Sequence, residues 1–175
     1  LTGGPCTLRA AVREAIAANK TKTVDIKIMP GVYSLTRVYD VVFFYNTGSL
    51  NIENGPNPIR ISAYDPANRP TIDASSLENR IFNVSLTATL ELQDLILTGG
   101  KVVASNLDKG GGAIYNGGTL RMERVDLIGN SVILNPSYPG YLPFVVGGGL
   151  DNRGKAVIQD SLFFLNQAHF AGAIH

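Results

Sequence analysis

The sequence predicts an all-β fold, a single-stranded parallel β-helix (β-solenoid) that carries an N-terminal capping α-helix. Three observations predict it. One segment is repeated along the chain, short segments of alternating apolar and polar residues precede the repeats, and one amphipathic helix lies near the start of the sequence. Residues 110–130 read GGGAIYNGGTLRMERVDLIGN, and residues 147–166 repeat them as GGGLDNRGKAVIQDSLFFLN. Residues 90–100, LELQDLILTGG, repeat the second half, so that successive copies are offset by 120 − 90 = 30 and 166 − 130 = 36 residues.

The helix is predicted over residues 7–19, TLRAAVREAIAAN. Leu8, Val12 and Ile16 recur every four residues and lie on one face of a helix. The segment begins with a threonine that can act as N-cap and ends with an asparagine that can terminate it. The first coil of a solenoid would expose an apolar cross-section and unpaired strand edges, and a helix across that end covers both. We therefore divide the chain into a capping segment, residues 1–23, and coils, residues 24–175.

Short alternating segments separated by turn residues follow the helix and predict strands. They are residues 24–28, 32–35, 50–52, 59–61, 70–73 and 81–84.

Each clear repeat predicts two short strands joined by a bend. In one copy Leu120 and Met122 alternate, two polar residues intervene, and Val125 and Leu127 alternate again, so that all four point to one interior. The same positions in the neighbouring copies are Leu90, Leu92, Leu95 and Leu97 on one side, and Ala156, Ile158, Ser161 and Phe163 on the other. Parallel strands about 4.8 Å apart would stack like on like.

An antiparallel sandwich or barrel is the rival fold, and it predicts tight hairpin turns between strands of similar length. Here the link between copies is variable, and residues 132–146 form a long insertion with three prolines. A solenoid corner accommodates such a loop, whereas a tight hairpin does not. The solenoid is therefore preferred.

Composition excludes two classes of partner. The net charge is +1 and basic residues form no cluster, which argues against binding of nucleic acid or an anionic membrane. No apolar run approaches the roughly 20 residues that span a bilayer. The single cysteine, Cys6, is either a free thiol or one half of a disulfide whose partner lay upstream of Leu1.

Ionisable residues share columns when the copies are stacked, but they do not spell a known catalytic motif. One column holds Asp94, Arg124 and Asp160, which predicts an acid–arginine–acid ladder on a solvated face. The other two columns are Glu91, Arg121 and Val157, and Gln93, Glu123 and Gln159. A pair of carboxylates facing one glycosidic bond is the less favoured interpretation.

Metal and cofactor sites are weakly signalled, and none is predicted. His169 and His175 have no cysteine or glutamate partner at ligand spacing. The carboxylates of Asp73, Asp108 and Asp151 are scattered singly, which leaves Ca²⁺ in a corner loop as a minor alternative.

Two sets of uncharged residues are candidates for a role. Asn116 and Asn152 occupy equivalent places, as do Asn130 and Asn166, and stacked amides at such positions predict a structural hydrogen-bonded ladder. The loop at residues 135–144, NPSYPGYLPF, carries Tyr138, Tyr141 and Phe144 between prolines. Exposed aromatic rings in a stiffened loop suit contact with a protein or a sugar ring, and the alternative is that they cover a flank of the solenoid.

The motif CTLRAAVREAIAAN, followed by IKIMPGVYSLT, PTID and the glycine-rich repeats, resembles bacterial surface and secreted proteins with a Cys-Ser-Leu-Arg-Glu-Ala (CSLREA) signature. The GGAI and FFLN strings are similar to the GGAI and FxxN repeats of polymorphic outer-membrane proteins. The resemblance implies a right-handed parallel β-helix in an exported, extracellular or cell-surface protein. A second cysteine usually precedes the one that matches Cys6 in that family, which favours the half-disulfide and a chain truncated upstream. The repeat that begins before His175 similarly suggests that further coils follow.

The resemblance implies a structural or adhesive role and, because the sequence has no recognisable catalytic motif, we expect a non-catalytic scaffold without a cofactor. Its partners would be another protein or a second copy bound at the open C-terminal end, as in a filament or complex, with a surface polysaccharide as a further candidate. The alternative is a carbohydrate-active or carbohydrate-binding β-helix, a lyase or hydrolase, whose site lies in coils outside this sequence.

Overall fold

The computed structural model describes residues 7–36, 48–53, 55–104, 110–134 and 145–175. The chain forms a parallel β-solenoid of about four turns with one N-terminal helix, which confirms the predicted fold class. Every pair of named strands in the described residues is parallel, so the antiparallel alternative is wrong. None of the helical structure in these residues has the length and apolar character needed to cross a bilayer.

The helix α1 covers the first coil as its amphipathic pattern predicts. It spans Leu8–Ala18, and Ala10 N–H donates to the hydroxyl of the N-cap Thr7 at 3.2 Å. Leu8, Val12 and Ala15 are buried in the main core, and the helix contacts strands of the first coil. Beyond the helix end, Asn57 Nδ2 donates to the carbonyl of Asn19 at 2.7 Å, which fastens the helix to the next coil.

Fourteen strands build the coils in the described ranges. They are β1 Val24–Ile28, β2 Val32–Ser34, β3 Leu50–Ile52, β4 Ile59–Ala63, β5 Thr71–Asp73, β6 Phe82–Val84, β7 Thr89–Thr98, β8 Lys101–Ala104, β9 Ile114–Asn116, β10 Thr119–Ile128, β11 Ser131–Leu134, β12 Leu150–Asn152, β13 Lys155–Gln159 and β14 Leu162–Phe164.

The strands stack in three sheets that run along the solenoid. The largest contains β1-β4-β7-β10-β13, and its second half adds β2, β5 and β14. A four-stranded sheet has the order β12-β9-β6-β3, and β11 pairs with β8 in the third. The last described coil continues through single bridges from Gln167, Phe170 and Ile174 to the coil before it.

The register places like side chains above one another, as the repeat predicts. Leu120 pairs with Leu90 and Ala156, and Leu127 pairs with Leu97 and Phe163. The apolar positions of β7 and β10 are buried in one continuous core, whereas Ala156, Ile158 and Phe163 of the last coil are only partly buried. Because each coil covers the inner side chains of its neighbour, burial falls at the last described coil.

The bend inside each repeat depends on a residue with left-handed backbone. Asp94, Arg124 and Asp160 have φ of 57°, 52° and 47° and occupy equivalent positions in β7, β10 and the β13–β14 link. This conformation turns the strand while the alternation resumes with Leu95 and Val125 pointing inward. The two polar residues that separate the apolar pairs in sequence are therefore the structural corner.

Candidate functional site

The outward side chains of β1, β4, β13 and the first halves of β7 and β10 form a surface that we call the charged face. A groove of about 430 Å³ lies along it. Its outward ionisable and amide side chains are Asp25, Lys27, Arg60, Glu91, Gln93, Arg121, Glu123 and Gln159, with Val157 at the end. The structure has the predicted register for the three columns of stacked residues, those that contain Glu91, Gln93 and Asp94.

Ion pairs between coils connect the charged face. Arg60 Nε lies 2.5 Å from Glu91 Oε2, and its Nη1 lies 3.8 Å from Asp25 Oδ1. Glu91 also faces Arg121, with Oε1 3.7 Å from Nε. The hydrogen bond to Glu91 raises the pKa of Arg60 above its ordinary value. In this column the charges alternate from coil to coil, so the carboxylates of Asp25 and Glu91 join neighbouring strands.

The groove on the charged face is electrically balanced. Lys27, Arg60 and Arg121 supply three positive charges to the groove, and three carboxylates, those of Asp25, Glu91 and Glu123, supply three negative ones. The arrangement therefore carries no net attraction for a polyanion or a polycation. Its hydrogen-bonding groups suit an uncharged polar ligand better than an ion.

The predicted acid–arginine–acid column contains a tighter contact than the groove. Arg124 donates to both carboxylate oxygens of Asp94, at 2.6 and 3.1 Å, and also forms an ion pair with Glu123. These contacts, that with Asp94 first, raise the pKa of Arg124. The ladder is thus incomplete, because Arg124 and Asp160 form no ion pair in the described residues. Arg69 supports the bend with hydrogen bonds to Arg124 O at 3.2 Å and Asp126 Oδ2 at 2.5 Å.

The asparagines form hydrogen bonds from coil to coil. Asn130 Nδ2 donates to Asn166 Oδ1 at 3.0 Å and to Leu97 O at 3.0 Å, while its Oδ1 accepts from Gly100 N at 2.8 Å. Asn166 repeats the arrangement one coil later by donating to Leu127 O at 2.8 Å. The buried amide of Asn130 is therefore occupied by backbone and neighbouring amide groups.

The second asparagine pair lies inside the four-stranded sheet. Asn116 Nδ2 donates to Asn152 Oδ1 at 2.6 Å and to Lys155 O at 3.0 Å. Asn116 Oδ1 accepts from Gly118 N at 3.1 Å, so the side chain holds the turn that leads into the next strand.

The carboxylate of Asp151, which the sequence showed only as one of several scattered acids, is buried on the other side of this sheet. Asp151 Oδ1 is 2.8 Å from Arg153 Nε and 3.2 Å from His175 Nδ1. Its Oδ2 is buried without a hydrogen-bond partner in the described part of the chain, and a Cβ at Gly110 would lie 2.2 Å from it. The signal was present, because aligning GAIH with GGLD places His175 beside Asp151, as the Leu150–Ile174 bridge does.

Several predicted residues fall outside what the structure describes. Cys6 and the aromatic residues Tyr138, Tyr141 and Phe144 lie in segments 1–6 and 135–144. His169 packs edge-on against Phe170, with ring centroids 4.7 Å apart, and His175 faces Asp151. Over the ranges that the structure describes, no three histidine, cysteine, aspartate or glutamate side chains gather as metal ligands would.

The last coil exposes more large apolar side chains than any other part of the described chain. Six of the eleven exposed large hydrophobic residues lie between positions 157 and 174: Val157, Leu162, Phe164, Leu165, Phe170 and Ile174. In the register of the main sheet, β13 and β14 both pair with β10 on one side. Their other edge has no strand partner among the described residues.

The fold and these surfaces define a parallel β-solenoid with a charge-balanced groove on one flank and an apolar last described coil. Comparisons with protein-family models, with curated proteins and with solved structures give no match to this chain.

Proposed function

We propose that this chain is a structural module of an exported protein, a non-catalytic scaffold that associates through its last coil. The observation that carries the proposal is the set of exposed apolar side chains beside the edge of β13 and β14 that has no strand partner among the described residues. Free strand edges and apolar patches are common association surfaces in β proteins.

The use of the polar side chains supports a structural role. Asp94 and Glu91 are paired with arginines on neighbouring strands, and the buried amide of Asn130 binds backbone groups of the coil before it. Polar side chains whose contacts join neighbouring coils stabilise a solenoid.

The resemblance to CSLREA-signature and polymorphic outer-membrane proteins supports an extracellular or cell-surface location. Antibody detection in fractionated cells of the source organism tests this part. Recovery of the protein outside the cytoplasm is the expected result, and recovery in the cytoplasm alone would contradict export.

Sedimentation velocity over a range of protein concentrations tests association. We expect the weight-average sedimentation coefficient to rise with concentration, and Leu162→Lys to reduce the rise because a charge would enter the apolar surface. Leu86→Lys is the control, since Leu86 is also an exposed leucine but lies in a turn before β7. A monomer at every concentration would overturn association through this coil.

A carbohydrate-binding or carbohydrate-active β-helix is the second candidate, and the groove along the charged face is the observation that favours it. Its carboxylates and the amides of Gln93 and Gln159 can bind sugar hydroxyl groups. A glycan array probed with the labelled protein tests this candidate. Binding that Gln93→Ala abolishes would support it, and binding unaffected by Gln93→Ala would remove the groove from consideration.

A further inference from the structure

We infer that a second copy of this chain docks on the charged face, with the two solenoid axes antiparallel and a two-fold axis that runs along the strands between β4 and β7. This contact is separate from the association proposed for the last coil, and it uses only β1, β4, β7 and β10. The occupant follows from the order of charges along the face, which is complementary to itself when it is reversed.

One column of outward side chains on these four strands has alternating charges. The register aligns Asp25 of β1 with Arg60 of β4. It then aligns Arg60 with Glu91 of β7, and Glu91 with Arg121 of β10. The signs are therefore negative, positive, negative, positive. When such a column of four is read backwards against itself, every charge meets a charge of the opposite sign.

The column two residues further along the same strands has the same property. Lys27 aligns with Ser62, Ser62 with Gln93, and Gln93 with Glu123. The two ends carry opposite charges and the two central members are uncharged. Reversal therefore places Lys27 against Glu123, and one uncharged side chain against the other. Both columns match themselves about the same line between β4 and β7, which indicates a single symmetry axis.

The symmetry operation that reverses the columns is a two-fold rotation about an axis parallel to the strands, between two facing copies. It reverses the order of the coils and leaves the position along each strand unchanged, so each column faces its own copy. Asp25 then faces Arg121 of the second copy, and Arg60 in the same way faces Glu91. The contact is isologous and closes after two subunits. Opposite charges across an interface set its register and suppress wrong alignments.

The limits of the charge pattern fit this axis. The residues of β13 that continue the two columns are Val157 and Gln159, and neither is charged. In the docked pair these two side chains lie past β1 of the second copy, on the side where α1 contacts that strand. The charged positions are therefore confined to the four strands that the axis relates to one another.

The side chains that would meet are accessible. Those of Asp25, Arg60 and Arg121 are 56%, 50% and 61% exposed. The two end residues of the column have only long contacts within the chain, 3.8 Å from Asp25 to Arg60 and 3.7 Å from Arg121 to Glu91. Four strands about 4.8 Å apart present a small face. Pairing through it is accordingly weak and sensitive to ionic strength.

Complementary charge reversal tests the arrangement in the full 175-residue chain. Asp25→Lys and Arg121→Glu each place two like-charged pairs across the axis. Each variant alone should therefore self-associate at least roughly tenfold more weakly than the unmodified chain in about 20 mM NaCl. A heterodimer of the two variants has opposite charges in both pairs, so its affinity should return to within about threefold of the unmodified chain. Recovery in the mixture also requires that both variants are folded.

Fluorescence-detected sedimentation velocity measures the affinities, with labelled Asp25→Lys in an excess of unlabelled partner. Lys155→Glu is the matched control partner. It makes the same change in net charge as Arg121→Glu from an exposed position of β13 that does not face Asp25. The labelled chain should bind this control at least roughly threefold more weakly than it binds Arg121→Glu, because one of the two pairs remains like-charged.

The other outcomes separate this inference from the proposed association of the last coil. Equal binding of labelled Asp25→Lys to Arg121→Glu and Lys155→Glu would overturn the register. Association that is unchanged from about 20 to about 500 mM NaCl and falls in Leu162→Lys would overturn pairing of the charged faces and leave the last coil as the contact. Complementary recovery in a chain insensitive to Leu162→Lys would support this inference and contradict the other. A monomer that binds a glycan, and loses it in Gln93→Ala, would assign the face to a sugar.

Discussion

Arg124 donates two hydrogen bonds to the carboxylate of Asp94, from Nε at 2.6 Å and from Nη2 at 3.1 Å, across 30 residues of sequence. Both residues have left-handed backbone at the bend of adjacent coils. The Asp94 side chain is only 4% exposed, so the pair holds a nearly buried charge at the point where each strand turns. The two hydrogen bonds therefore make Arg124 a structural part of the bend.

Arg124→Ala is expected to lower the urea midpoint of unfolding markedly, because the buried Asp94 carboxylate would lose both hydrogen bonds. Arg121→Ala is the matched control. It removes an arginine from the same strand whose Nε lies 3.7 Å from Glu91 and whose side chain is 61% exposed, so little change is expected. Urea unfolding followed by circular dichroism compares them, and equal midpoints for both variants would contradict a structural role for the Asp94 contact.

Asn130→Ala should lower the free energy of unfolding by about 3 kcal/mol, because Gly100 N–H and Leu97 C=O would be left without their partners in a buried site. Asn152→Ala should cost only about 1 kcal/mol, since Asn116 Nδ2 keeps its bond to Lys155 O. Urea unfolding at fixed pH measures both. A cost for Asn130→Ala no larger than for Asn152→Ala would argue against the coil-to-coil amide contacts as a source of stability.

The fold was predictable because each coil of a solenoid repeats the same pattern of inward and outward side chains. Alternation fixes which side chains of β7 and β10 point inward, and the 30-residue offset alone places Leu120 over Leu90. The polar pair between the alternating halves indicated a bend. Its left-handed backbone could not be foreseen, since Asp94 and Arg124 are not glycines.

The candidate sites were less predictable, because they depend on side-chain rotamers and on segments between repeats. Aligning the repeats predicted which residues share the column of Glu91, but it did not predict that Glu91 lies between two arginines. It also did not predict that Arg124 contacts Glu123 rather than Asp160. The buried position of Asp151 depends on its packing against Gly110, a contact between positions 41 residues apart (151 − 110). Local sequence contains no signal for such a contact.

Gly112→Ala should destabilise the chain by about 3 kcal/mol or more, because a Cβ there would lie 2.2 Å from the carbonyl oxygen of Gly148 in the next coil. Gly129→Ala isolates the cost of backbone conformation. Its φ is 65° and the nearest atom to a new Cβ is 4.0 Å away, so about 1 kcal/mol is expected. The free energy of unfolding of each variant, measured in urea, distinguishes the steric clash at Gly112 from the backbone strain at Gly129. A similar decrease in both variants would mean that the coils separate readily enough to admit a methyl group.

Asp65 should make stability depend on pH in the acidic range. Its carboxylate accepts from Asn68 Nδ2 at 2.7 Å and from Ala67 N at 3.0 Å, and these hydrogen bonds, that of Asn68 first, lower its pKa. Because the folded-state pKa lies below the unfolded value of about 3.9, the stabilisation is present above that value and is lost as pH falls through the folded pKa.

The stability difference between the chain and Asp65→Ala should therefore be constant above about pH 5 and shrink at lower pH. Carboxyl-carbon NMR titration gives an independent reading, with Asn68→Ala expected to move the pKa of Asp65 upward. A stability difference that grows on acidification would contradict a lowered pKa of Asp65 in the folded state.

Leu165→Gly should stabilise the last coil by about 0.5–1 kcal/mol, because Leu165 adopts a left-handed φ of 54° at a corner where the two preceding coils have Gly99 and Gly129. The leucine side chain is 64% exposed, so its loss removes little apolar burial. Leu162→Gly is the control: it deletes a comparably exposed leucine from the regular strand β14, where glycine costs about 0.5–1 kcal/mol. Hydrogen exchange of the β14 amides measures both, and slower exchange in Leu165→Gly with faster exchange in Leu162→Gly is the expected pair of results. Faster exchange in both variants would mean that the leucine at the corner contributes contacts worth more than the strain it carries.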